Sequence, residues 1–74
     1  MRVAPSAHKH GVADADIRHA VAHPLRTFTD QGDISLVMVI GPARNGVVLE
    51  VGLVDDDEDP RVIHAQPARR KYWP

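Results

Sequence analysis

The dipeptide Asn45-Gly46 stands between two apolar segments and constrains this chain more than any other feature. Asn and Gly both tolerate the positive φ angles of tight hairpin turns, so the pair between apolar runs reads as a β-hairpin. Upstream, Ile34 to Ile40 is a near-continuous apolar run that suits a central strand. Downstream, Val47, Leu49, Val51 and Leu53 alternate onto one face and leave Glu50 on the other.

The flanking segments extend this hairpin. Leu25 to Thr29 alternates and carries β-favouring residues, and Asp30-Gln31-Gly32-Asp33 is a turn. Arg61 to Gln66 makes a last strand, stopped by Pro67. Before the strands, Asp14 has the character of a helix N-cap, and Asp16 suits the positive end of the helix dipole. Ile17, Ala20 and Val21 recur at helical spacing, and Pro24 pushes its predecessor out of the helical region. The helix therefore runs from about Asp14 to Ala22. Too short to stand alone, it must dock Ile17 and Val21 on the sheet. Residues 1–10 carry no periodicity and read as an irregular lead-in.

The expected fold is α+β, with one short helix packed on a three- to four-stranded antiparallel meander. At 74 residues this is a single small domain, with residues 67–74 as a basic and aromatic tail. One helix covers one sheet face, so the other face is expected to stand partly open and to invite a partner, such as a second copy in a homodimer.

Cysteine is absent, which excludes a disulfide framework and any thiolate metal site. No stretch is long and apolar enough for a membrane span, and the start lacks the apolar core of a signal peptide. The expected location is the cytoplasm, with no membrane partner. Nothing resembles a phosphate-cradling glycine loop or a serine elbow, so nucleotide-cofactor chemistry and serine catalysis lack support.

The five histidines invite a metal hypothesis through the pairs His8/His10 and His19/His23. No Glu follows His19, and Pro24 places His23 at a fraying helix end, so neither a metal nor a cofactor is assigned.

Charge is near balance overall, at −1, but unevenly distributed. Asp55-Asp56-Asp57-Glu58-Asp59 is an acidic run, readable as a solvated hairpin loop or as a mark of a charged partner. From Arg61 onward Arg61, Arg69, Arg70 and Lys71 meet no acid, and Tyr72 and Trp73 follow directly. Cations beside aromatic faces can neutralise phosphates and stack on bases, or the tail can pack back on the sheet.

Metal-free RNA cleavage needs a base for the 2′-hydroxyl, an acid for the leaving 5′-oxygen and cations for the phosphate. Imidazole chemistry suits His64 for either proton role, with Lys71 or Arg69 steadying the charge. Arg61 and His64 lie three apart on one strand, so simple alternation sends their side chains to opposite faces.

Lys9-His10-Gly11-Val12, followed by Asp14-Ala15-Asp16-Ile17 and Ala20, resembles the helix entry of BrnT-type toxins. The resemblance continues through Ile40-Gly41, Asn45-Gly46, Val47 to Val51, Val62-Ile63-His64-Ala65, Ala68 and Tyr72. It implies a RelE-like fold, RNA cleavage, neutralisation by a cognate ribbon-helix-helix antitoxin, and autorepression by the complex. The chain is divergent and shortened relative to that family. Members usually begin with an extra strand, for which residues 1–8 are poor material. Where they end the last strand in Ser-Ala-Arg this chain has His64-Ala65-Gln66, and Arg69, Arg70 and Lys71 occupy the stretch where a Glu often precedes the Tyr.

On this resemblance the candidate catalytic residues are His64, Lys71, Tyr72 and His10, with Arg61, Arg69, Arg70 and Lys71 on the phosphodiester backbone. The alternative is a non-catalytic interaction module of the same fold.

Overall fold

A computed structural model describes residues 1–29, 32, 36–54 and 59–74. Among them the chain is α+β, with strands β1 (Arg2–Val3), β2 (Arg26–Thr29), β3 (Leu36–Pro42), β4 (Val48–Val54) and β5 (Arg61–Pro67) and one α-helix, α1 (Asp14–Ala22). Short 3-10 turns occupy Pro5–His8 and Arg70–Tyr72. The residues around the expected 30–33 turn except Gly32, the start of the Ile34 strand and the acids Asp55 to Glu58 lie outside the described residues.

The sheet order is β1-β5-β4-β3-β2. Strands β2 to β5 form the expected antiparallel meander, and the hairpin turns at Asn45-Gly46, where Gly46 takes φ +89°. Ala43 N–H donates to the Val47 carbonyl at 2.7 Å, closing the loop.

The lead-in is not irregular. Arg2 and Val3 pair in parallel with Arg61 and Val62, which adds a fifth strand and makes the sheet mixed. Backbone bonds from Arg2 N to Pro60 O (3.0 Å) and Ala4 N to Val62 O (2.8 Å) hold it, and Ser6 Oγ donates to Ile63 O at 2.9 Å. Two residues show no periodicity, so only the waiting backbone of β5 reveals this strand.

The helix has the expected bounds, but its N-cap is Ala13, with no side-chain cap bond. Asp14 and Asp16 lie in the first turn, where the dipole favours them. Asp16 Oδ1 accepts from the Arg44 backbone amide (3.1 Å) and Nε (2.9 Å), tying the hairpin loop to the helix.

Ile17 and Ala20 are fully buried against Val39, Leu49, Val51, Leu53, Val62 and Ala65, with Ala7 beside them. Gly41 makes the close helix approach possible: a Cβ there would overlap the Ala20 carbonyl oxygen and lie 3.1 Å from the His23 carbonyl oxygen.

The opposite sheet face is not open as expected. Met38, Ile40 and Glu50 project there, yet they are 4%, 0% and 0% exposed. The tail after Pro67 covers them. Arg69 bonds Glu50 on β4, and the Tyr72 ring lies 5.4 Å from the Phe28 ring on β2. Since Glu50 pairs with Ile40, and Phe28 with Met38, the tail spans β3 between those anchors.

Candidate functional site

A carboxylate inside an apolar strand must find partners or stay neutral. Glu50 lies in Val-Leu-Glu-Val-Gly-Leu-Val and is fully buried. Its Oε1 accepts from Arg69 backbone N–H (2.8 Å) and Nε (3.0 Å), while Oε2 accepts from an Arg69 terminal nitrogen (2.9 Å). His64 Nε2 also meets Oε2, at 3.1 Å.

Burial alone would raise the Glu50 carboxyl. The Arg69 side chain, its backbone amide, the His64 ring and the Arg69 charge outweigh that effect and lower the carboxyl from 4.5 to about 2. The same pairing raises the Arg69 guanidinium above its ordinary range. Glu50 is therefore an anion, and His64 Nε2 must carry the proton it donates. That fixes the tautomer and leaves Nδ1 as the ring's acceptor in neutral imidazole. The His64 side chain is 32% exposed, so this acceptor belongs to a partly open ring.

The other expected residues divide. His10 joins the cluster, its ring centroid 5.9 Å from that of His64 in an edge-to-face arrangement. Tyr72 lies under two cations, with Arg69 Cζ 5.3 Å and Lys71 Nζ 4.9 Å from its ring centroid. Arg69, expected to hold phosphate, instead commits Nε and one terminal nitrogen to Glu50. Arg70 turns toward Trp73, with Cζ 5.7 Å from the indole centroid.

Arg61 requires a correction. The β4–β5 register shifts between Gly52 and Leu53: His64 pairs with Gly52, Val62 with Leu53, and Arg61 with Val54. Gly52 and Val54 are two apart and share a face, so their partners His64 and Arg61 share one too. The extra residue in β5 reverses the expectation from simple alternation. Arg61 lies at the opposite end of the strand from Pro67, outside the cluster around Glu50.

Glu50 was missed as a site residue, although its signal was present: an acid flanked on both sides by buried alternation. The remaining histidines serve local structure. His19 Nδ1 pairs with Pro42 O at 2.8 Å, His23 Nδ1 with His19 O at 2.9 Å, and the rings stack at 4.3 Å. His8 Nε2 meets Asp14 Oδ1 at 2.7 Å. Among the described residues no group of three or more His, Cys, Asp or Glu gathers around a possible ion. A separate groove on the helix side is lined by Val21, Val37, Val39, Leu53 and Pro60, none of which can transfer a proton.

Searches of family models, curated proteins and solved structures returned no match. Among the described residues no helix is long and apolar enough to cross a membrane.

Proposed function

We propose that this chain is a BrnT-like toxin component that cleaves RNA without a metal, acts in the cytoplasm and is neutralised by a ribbon-helix-helix antitoxin. The observation carrying the catalytic part is the His64 imidazole held through Nε2 by the buried Glu50 anion, with His10 beside it. The antitoxin, and autorepression by the complex, rest on the sequence resemblance.

In this reading His64 Nδ1 removes the proton of an RNA 2′-hydroxyl. The oxygen attacks the adjacent phosphorus, the bond to the 5′-oxygen breaks, and that oxygen takes a proton from His10. The products are a 2′,3′-cyclic phosphate and a free 5′-hydroxyl. Glu50 acts as a positioning residue by fixing the tautomer and stabilising the imidazolium after proton uptake. Lys71, and the part of Arg69 not bound to Glu50, offset charge on the phosphate.

Incubating a defined single-stranded RNA with the purified protein and EDTA tests the proposal. The expected result is cleavage leaving cyclic phosphate ends, reduced about 100-fold or more in His64→Ala. Cleavage no greater than in that variant overturns the enzymatic reading. The alternative of an interaction module or homodimer using the helix-free sheet face loses its motive where the tail seals Met38, Ile40 and Glu50.

A further inference from the structure

The tail presents two sides. Arg69 reaches Glu50 and the Tyr72 ring lies against Phe28, so this pair faces the sheet, whereas Arg70 lies over the exposed Trp73 ring. The inward pair is occupied by Glu50 and Phe28. The outward pair is not covered: Trp73 is 58% exposed.

Although exposed, the indole is hydrogen-bonded back onto its own tail. Trp73 Nε1–H donates to the Ala68 carbonyl at 2.9 Å, and its backbone N–H donates to Arg70 O at 3.1 Å. The Arg70 guanidinium lies 5.7 Å from the ring centroid, whereas Lys71 Nζ lies against the Tyr72 ring instead. The tail itself is tied to the sheet by the Glu50–Arg69 pair. An exposed aromatic ring hydrogen-bonded to its own tail and lying beside a cation suits a nucleobase and its phosphate, because the π-system offers stacking and the cation a backbone contact.

We propose that Trp73, with Arg70, is a stacking site for an unpaired base of single-stranded RNA, on the tail that Glu50 holds to the sheet. The inference rests on the RNA reading above and gives it a substrate class. A duplex keeps its bases stacked on one another and offers none to the indole.

Trp73 is the only tryptophan in the chain, so its fluorescence reports this site alone. The full-length protein is titrated with a 2′-O-methylated oligouridylate, which cannot be cleaved, with heparin as a base-free polyanion, and with duplex RNA of equal length. Saturable quenching by the oligouridylate is expected, with little from heparin or duplex. In Trp73→Ala, followed by anisotropy of a labelled oligomer, affinity should fall about tenfold, and Trp73→Phe should recover part of it.

Equal quenching by heparin or duplex, or unchanged affinity in Trp73→Ala, overturns the stacking site. His64→Ala separates the two readings, because it should abolish cleavage while leaving the quenching intact. Quenching without cleavage in the wild type would overturn the nuclease and leave the stacking site standing. Cleavage without quenching would do the reverse.

Discussion

The two faces of the sheet are sealed by different means. On the helix side Ile17 and Ala20 close over Val39, Leu49 and Val51, apolar on apolar, with no charge to satisfy. On the other side an irregular tail closes over Met38 and Ile40, and a buried carboxylate holds it down. The first arrangement depends on close fit between backbones, whereas the second rests on one ion pair and one ring contact. The difference teaches that charge can do in a short tail what otherwise needs a second helix, at the cost of sensitivity to pH and to single substitutions.

The sharpest test of this contrast is a pair of glycines. In Gly41→Ala the new Cβ meets helix backbone, and backbone cannot turn aside, so a loss of about 3 kcal/mol or more in urea unfolding is expected. In Gly52→Ala it meets the Cβ of His64 at 3.3 Å, and the flexible ends Leu36 Cδ1 at 3.4 Å and Met38 Sδ at 3.5 Å, with no backbone carbonyl in the way. There the loss should stay below about 1 kcal/mol. Equal losses would mean that the two faces are equally rigid.

The ion pair should itself be asymmetric. Arg69→Ala leaves Glu50 buried without its counter-charge and should cost about 3 kcal/mol. Glu50→Gln leaves a guanidinium that is already half exposed and can reach water, so about 1–2 kcal/mol is expected. Thermal or urea melts of the two variants decide this, and the reverse order would show that Arg69 does more than neutralise Glu50.

Acid provides a milder probe. Because the folded Glu50 carboxyl lies near 2 rather than 4.5, its contribution is fully present above about pH 4.5 and is lost as pH falls toward 2. Asp16 and Asp59, lowered chiefly by hydrogen bonds from Arg44 and from the chain's amino terminus respectively, push in the same direction. The Glu50 shift alone should lower stability by about 2–3 kcal/mol over this window, and the drop should be shallower in Glu50→Gln. An unchanged slope in that variant would place the acid sensitivity elsewhere.

Much of the helix side was legible in the sequence, because repetition encodes it. Alternation at Val47 to Leu53, helical spacing at Ile17, Ala20 and Val21, and the Asn45-Gly46 turn each announce themselves locally. The tail side was legible only in part. His64, Arg69 and Tyr72 stood out by residue type, but their convergence on Glu50 depends on a chain crossing that no period records. The face of Arg61 was misread because one inserted residue in β5 leaves no mark in the pattern of side chains. The strand at Arg2 and Val3 escaped notice because its partner lies almost sixty residues away.

That long reach has a kinetic consequence. Arg2 pairs with Arg61, and Glu50 meets its counter-charge at Arg69, so the β1 edge and the cover over the helix-free face both await the last third of the chain. Both closures carry a loop-closure cost that the hairpins of the meander do not, which slows folding relative to a meander alone.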